Sequence, residues 1–190
     1  PRPPAAVVGG NVETSQRICE ALYGALGNLA GSQGTMNNLS FGDATFGYYE
    51  TMGGGTGAGP DFPGASGVHS HMTNTRITDP EVLERRYPVI LRAFALRQGS
   101  GGKGTTHGGE GLHRAFEFRQ PLTLSCLMER RFTQAYGVQG GQPGLPGQNW
   151  HIHGGKKAPL PGHCQLEIET GDWVIIETPG GGGFGPVPED

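Results

Sequence analysis

The segment from Gly67 to Pro88, GVHSHMTNTRITDPEVLERRYP, concentrates residue types that do chemistry: His69, His71, Asn74, Arg76 and Asp79. An imidazole titrates near neutrality and serves as general base. A guanidinium grips a carboxylate or phosphate with two parallel hydrogen bonds, and His with Asp can ligate a metal. His71 and His69 are therefore the candidate catalytic residues, His71 as the group that orients water or substrate. Arg76 and Asn74 are candidate substrate-binding residues, Arg76 for a carboxylate or phosphate. The bland alternative is a polar loop that satisfies its own backbone through Ser70, Thr73 and Asn74. Asp79-Pro80-Glu81 next spells a helix start: an N-cap, a proline at the first helical position, and an acid favoured by the helix dipole. Pro88 disfavours helical geometry at Tyr87, so this helix is short. Polar loops carried on rigid elements are where binding and catalysis concentrate.

Other sets are weaker. Gly99-x-Gly101-x-x-Gly104 has the spelling of a dinucleotide fingerprint, but Thr105-Thr106-His107-Gly108-Gly109 is a poor start for the helix that fingerprint needs. A P-loop fails as well, since Arg97 stands where its first glycine belongs and Gly104 where Ser or Thr should follow Lys103. The loop reads instead as a mobile connection between strands. His151-x-His153 places two imidazoles on one side of a strand, and with His163 and Cys164 it has the donor types of a zinc site. Gly154-Gly155-Lys156-Lys157 reads as a hairpin tip and no carboxylate flanks the pair, so a solvated hairpin is preferred and no metal ligand is assigned. Ser125 and Cys126 lie within an alternating strand, without the elbow that exposes a nucleophile.

These groups need elements to position them. Over residues 11 to 27, Ile18, Ala21, Leu22, Ala25 and Leu26 recur with helical period, predicting a helix whose apolar face packs on the core. Asn11 or Thr14 would cap its start and Gly24 or Gly27 its end. Gly9-Gly10-Asn11 would present free N–H groups to an anion. Phe46, Tyr48 and Tyr49 predict a strand ending at Glu50. From Val89 onward the chain reads as β. Leu122, Leu124, Cys126 and Met128 alternate with more polar neighbours, and so do Leu166, Ile168 and Thr170. Trp173 to Thr178 follows as another strand after a turn at Gly171-Asp172. The fold class expected is α+β: an N-terminal amphipathic helix, Gly-rich loops and a β-rich C-terminal half, divisible into residues 1–88 and 89–190.

The chain has 190 residues, enough to bury roughly 70% of its unfolded surface. Only 34% are hydrophobic, the difference being made up by 36 Gly and 15 Pro, yet periodic apolar runs separate the glycine clusters, which excludes low complexity. A net charge of −3 without a basic patch argues against a nucleic-acid partner. The absence of any long apolar run argues against a membrane span. Cys19, Cys126 and Cys164 are scattered and odd in number, which suits a reducing cytoplasm. The first residue is Pro1, so the chain is expected to begin inside a longer protein.

Seven blocks occur in a set order: VVGGNVETSQRI (7–18), QGTMNN (33–38), GYYETMGGGTGAGP (47–60), SGVHSHMTNTRITDPEVLERRYPV (66–89), GSGGKG with GGEG (99–111), ERR (129–131) and TPGGGGFG (178–185). Together they resemble the C-terminal part of the hydantoinase B/oxoprolinase family, most nearly its eukaryotic-type 5-oxoprolinase branch. The resemblance implies the hydrolytic half of an ATP-dependent cyclic-amide hydrolase, a piece of a larger multidomain enzyme. For that branch the substrate implied is 5-oxo-L-proline and the product L-glutamate, in glutathione metabolism. It implies that one half of the enzyme uses ATP and Mg2+ to phosphorylate the lactam oxygen, after which the other half opens the ring with water. The ATP-binding half would lie in the same polypeptide or in a partner subunit. A divalent metal of the hydrolytic half would have its ligands outside this stretch, and a homo-oligomer is expected. Asn37 and Asn11 fall in matching blocks and join the candidate substrate-binding residues on that ground. His151 and His153 depart from the apolar or basic residues the family implies at that hairpin. Relatives acting on hydantoins or carboxylating acetone are the alternative, as is a mainly structural assembly region.

Overall fold

A computed structural model describes residues 12–71 and 73–188. Asn11, and with it the anion site expected at Gly9-Gly10-Asn11, lies outside the described residues. Those residues form two helices and nine strands in two antiparallel sheets, an α+β architecture dominated by β structure. No helix among them is long and apolar enough to cross a membrane.

Helix α1 (Glu13–Leu26) closes on Gly27, which takes the left-handed conformation at φ 65° and returns its N–H to Gly24. Its N-cap is Val12, and Thr14 lies inside the helix. The periodicity thus locates the helix, but its burial is the reverse of the expectation. Gln16 and Glu20 are buried, whereas Ile18, Leu22 and Leu26 are 56%, 60% and 72% exposed. The polar side wins because it is held by specific partners. Gln16 Nε2 donates to Thr73 Oγ1 at 2.8 Å, and its Oε1 accepts from Ser70 at 3.1 Å. Glu20 accepts from Arg130 Nη2 at 2.5 Å. The apolar stripe is left facing outward.

One sheet runs β2-β1-β5-β8: β2 (Gly47–Thr51), β1 (Asn38–Gly42), β5 (Leu122–Leu127) and β8 (His163–Ile168). The other runs β3-β4-β9-β6-β7: β3 (Val89–Arg97), β4 (Gly111–Phe118), β9 (Trp173–Glu177), β6 (Gln148–His153) and β7 (Lys156–Leu160). Alternate residues of both sheets, among them Leu39, Phe41, Leu122, Leu124, Phe116, Phe118, Val174 and Ile176, fill one apolar core. β1 pairs with β5, so strands from either side of residue 88 share a sheet. Gly171-Asp172 makes the expected turn, but it carries the chain from β8 in one sheet to β9 in the other. Gly154 and Gly155, both at positive φ, close the β6–β7 hairpin as expected. The edge strand β7 carries Lys156, Lys157 and Pro159, which discourage further pairing. Helix α2 (Pro80–Arg86) follows the predicted signals: Asp79 caps it by accepting from Glu81 and Val82, and Tyr87 is extended before Pro88.

Two of the scattered cysteines meet. Cys126 and Cys164 are register partners across β5 and β8, and the cysteines are free thiols. The neighbouring Cys126 thiol holds the Cys164 thiol below the ordinary cysteine range against the opposing effect of burial, while Cys126 itself is pushed up. Cys164 should therefore carry a larger thiolate fraction at neutral pH than an ordinary cysteine. Alkylation with iodoacetamide at pH 7, read by mass spectrometry of the folded protein, should modify Cys164 roughly ten times faster than a free thiol control of ordinary pKa. Equal rates would show that the pair does not activate Cys164.

Glycine-rich segments build a third layer that is neither helix nor sheet. Residues 178–185 run through its centre. Gly181 donates to Gly109 and accepts from Gly102, Gly182 donates to Gly31 and accepts from Ala58, and Gly183 donates to Gln142 and accepts from Val138. A Cβ at Gly180 would meet the Ser100 carbonyl oxygen at 2.0 Å, at Gly181 that of Thr56 at 1.9 Å, at Gly182 that of Tyr136 at 1.9 Å and at Gly183 that of Lys103 at 2.3 Å. Gly180 and Gly183, three residues apart, thus face the same 99–104 segment. The run is enclosed by neighbouring backbone and hydrogen-bonds sideways to several segments. The Gly99–Gly104 loop is part of this layer, with Ser100 fully buried, so it is a structural member and not the mobile connection expected. Its N–H groups already hold an anion. Glu110 accepts from the Ser100 N–H at 2.6 Å, the Gly101 N–H at 3.0 Å and Ser100 Oγ at 2.8 Å. Burial pushes its carboxyl up, but these bonds outweigh burial and leave it below the ordinary carboxylate range. The N–H groups of Ser100, Gly101 and Gly102 are thus not free for a phosphate.

Candidate functional site

Residues of the 67–77 segment line a cleft of about 490 Å³. His69, Thr73, Asn74, Thr75, Arg76 and Ile77 form one wall, Gly53, Gly67 and Val68 another, and Phe94 of β3 and Leu112 of β4 contribute apolar surface from the five-stranded sheet. The wall is anchored behind by Gln16 of α1 through Ser70 and Thr73, and ahead by the Asp79 cap of α2. His69, Asn74 and Arg76 are therefore brought together, whereas Asp79 is consumed as a cap.

His69 is the best-placed titratable group. Its Nε2 lies 3.2 Å from Thr75 Oγ1, which lies 2.7 Å from Thr51 Oγ1. Its Nδ1 is buried and has no hydrogen-bond partner among the described residues. Burial lowers its pKa below the ordinary imidazole value, against a smaller opposing effect of Glu50. At neutral pH the ring is uncharged, with a nitrogen free to accept or donate one proton. Arg76 is exposed at the lip of the cleft.

The remaining candidates lie elsewhere. His71 takes a left-handed conformation, φ 56°, and its ring stacks on Tyr23 of α1 at 6.3 Å, outside the residues that line the cleft. Asn37 is fully buried at φ 44° and its side chain is saturated: Nδ2 donates to Gln33 Oε1 and the Met52 carbonyl, and Oδ1 accepts from Arg131. It braces the loop below β1 and has no free polar group for a ligand. Asn11 lies outside the described residues.

Behind the cleft sits a buried ion pair. Arg114 of β4 and Glu50 of β2 are 0% and 3% exposed, and Arg114 Nη1 donates to Glu50 Oε1. Glu50 Oε2 accepts from Tyr48 at 2.6 Å and from the Thr78 N–H at 2.9 Å, tying the end of the 67–79 segment to the sheet. The guanidinium lies between Phe94 and Phe116, 4.9 and 4.7 Å from their ring centres. Phe94 thus joins the cleft to a buried cation.

A 5-oxoprolinase of Arabidopsis thaliana is 55% identical over 97% of this chain, which is 15% of that relative's length, and one of Dictyostelium discoideum is 52% identical over 95% of this chain and 14% of its own length. The sequence profile described as hydantoinase B/oxoprolinase matches residues 1–187. The chain belongs to the hydantoinase B/oxoprolinase family. The crystal structure of an ATP-dependent caprolactamase from Pseudomonas jessenii superposes with a TM-score of 0.68 at 21% identity, covering 85% of this chain and 31% of that one, and so shares the fold. This member of the hydantoinase B/oxoprolinase family thus spans about one-seventh of the length of the curated relatives it matches.

Several groups in this hydantoinase B/oxoprolinase chain escape sequence reading. Asp172 supplies the carboxylate that His151-x-His153 lacks locally: His151 Nε2 lies 2.9 Å from Asp172 Oδ2 and His153 Nδ1 2.9 Å from Oδ1. The hairpin tip is solvated as expected, but its histidines do have a carboxylate beside them in space. His163 pairs with Glu129 and Cys164 with Cys126, so neither joins that set. The only local hint is an acid at the start of a strand whose register with β6 the sequence does not give. Arg114 is likewise hidden, because a charge in an apolar strand predicts an outward face.

Proposed function

We propose that this chain forms part of the hydrolytic half of an ATP-dependent 5-oxoprolinase, which converts 5-oxo-L-proline, ATP and water into L-glutamate, ADP and phosphate. The observation that carries this reading is the identity of more than half to relatives named 5-oxoprolinase across nearly the whole chain. It favours the lactam over the hydantoin and acetone-carboxylating alternatives.

The cleft suits one side of such a reaction. Its apolar surface from Phe94 and Leu112 fits the methylene edge of a small ring, Arg76 is placed for a carboxylate, and Asn74 and Thr75 offer hydrogen bonds. Neutral His69 has the proton-accepting capacity to orient a water or to hold the opened ring's amine. The Gly99–Gly104 loop does not offer its Ser100 and Gly101 N–H groups to a nucleotide, since Glu110 accepts from both. The activating step belongs to sequence outside this chain. The cleft lining holds one imidazole and no carboxylate, an incomplete set for a hydrolytic metal, whose ligands this reading also places outside. The outward stripe of α1, Ile18, Leu22 and Leu26, supports docking against the rest of the enzyme or a second copy. The setting on this reading is cytoplasmic glutathione turnover.

The test uses the full polypeptide and follows glutamate and ADP together. His69→Gln should lower kcat at least about tenfold. Arg76→Ala should raise KM for 5-oxo-L-proline about tenfold with little change in kcat. The acid limb of the wild-type rate profile should lie below 6.5, where His69 takes up its proton. Wild-type kinetics in both variants would remove the cleft from the reaction.

A further inference from the structure

The most developed cluster outside the cleft is His151, His153 and Asp172. His151 and His153 are two apart on β6 and point to the same side. The β6–β9 register pairs His151 with Val174, so Asp172, two residues before Val174, shares that inward side at the open end of the sandwich. Their potential ligand atoms all lie within 4.8 Å of one another. The cleft draws on β3 and β4, whereas this cluster sits on the β6 side of the same sheet, with β9 between.

We propose that His151, His153 and Asp172 form a binding site for a divalent transition metal of the zinc type. Ligands about 2.0–2.1 Å from zinc in a tetrahedron stand roughly 3.3 Å apart, and each imidazole nitrogen is already 2.9 Å from its own carboxylate oxygen. Small outward shifts make room for the ion. Two imidazoles and a carboxylate with the remaining position open to water are a donor set that suits zinc, copper or nickel more than magnesium or calcium.

The carboxylate is pre-positioned. Asp172 is 4% exposed and its Oδ2 also accepts the Glu169 N–H at 3.1 Å. Its own backbone is fixed by Phe118, which donates to its carbonyl at 2.9 Å. Such outer bonds orient a ligand before the metal arrives. His151 is 18% exposed and set by the sheet, while His153 is 57% exposed and gives the ion its way in. On binding, each ring turns a lone pair toward the metal and carries its proton on the other nitrogen. The ion then clamps the β6–β7 hairpin to the turn that links the two sheets.

The experiment is a Zn2+ titration of the chelator-treated full polypeptide against a chromophoric competitor, repeated with Co2+ to read its d–d absorption. His153→Gln is the principal variant, because the residue is largely exposed, and Asp172→Asn is the second. Wild type should bind one more equivalent of Zn2+ than either variant, or bind that equivalent at least tenfold tighter. A Co2+ band of four- or five-coordinate intensity should be present in wild type and reduced in both variants. Any resident metal elsewhere cancels in the difference. Equal stoichiometry, affinity and spectra in wild type and His153→Gln would overturn the proposal and leave the cluster as a hydrogen-bonded bracket.

Discussion

Replacing Gly181 with alanine should destabilise the protein by at least about 3 kcal/mol, from the overlap it forces and the hydrogen bonds it breaks. The added Cβ would stand 1.9 Å from the Thr56 carbonyl oxygen and 2.3 Å from its carbon. Both atoms are backbone, so no side chain can swing away. The segments must part, and parting them stretches the bonds from Gly181 to Gly109 and from Gly102 to Gly181, 2.9 and 2.8 Å long. The groups left behind are buried and have no water to turn to. Since folded domains are stable by only about 5–15 kcal/mol, this is a large share of the total. Gly47→Ala is the matched control: a Cβ there meets nothing within 4 Å. Urea unfolding should show a greatly lowered midpoint, or loss of soluble protein, for Gly181→Ala and a near-wild-type midpoint for Gly47→Ala. Similar midpoints would mean that the glycine layer is loose enough to absorb a methyl group.

That layer also shows where sequence reading stops. The alternating strands and the start of α2 were legible because side chains record them: Leu122, Leu124 and Cys126 are buried in alternation, and Asp79-Pro80 starts α2, whereas α1 begins on Val12 with no side-chain cap to read. A run such as Gly180 to Gly183 has no side chains in which to write a period, so its place between neighbouring backbones appears only in the structure. α1 was legible as a helix but not in its orientation, because the stripe of Ile18, Leu22 and Leu26 identifies a face seeking an apolar partner without saying where that partner is. In the candidate site, the density of polar residues singled out the 67–79 segment, part of which lines the cleft. It could not separate His69, which lines the cleft, from His71, two residues on, which the left-handed backbone turns toward Tyr23. Asn37 was matched by its block, but its buried amide is engaged by Gln33, the Met52 carbonyl and Arg131, which gives it the contacts of a brace.

Arg114→Met should cost about 3–5 kcal/mol, because it leaves the Glu50 carboxylate buried without its counter-charge. Glu50 keeps the Tyr48 hydroxyl and the Thr78 N–H, two donors in place of a cation. Methionine fills much of the space between Phe94 and Phe116 but gives the carboxylate nothing. The double variant Glu50→Gln with Arg114→Met should therefore be more stable than Arg114→Met alone, since removing both charges avoids the unpaired one. Urea unfolding of wild type, Arg114→Met, Glu50→Gln and the double variant gives this coupling directly, and additive losses would show that the pair contributes little. The consequence reaches the cleft by two routes. Phe94, which stacks on the guanidinium, lines it, and Thr78, held by Glu50, ends the segment that carries His69 and Arg76. Arg114→Met should accordingly weaken turnover through a misplaced wall, raising KM more than it lowers kcat, while the double variant recovers stability before it recovers KM. Recovery of stability without recovery of KM would show that the pair acts mainly through the placement it enforces on the cleft wall.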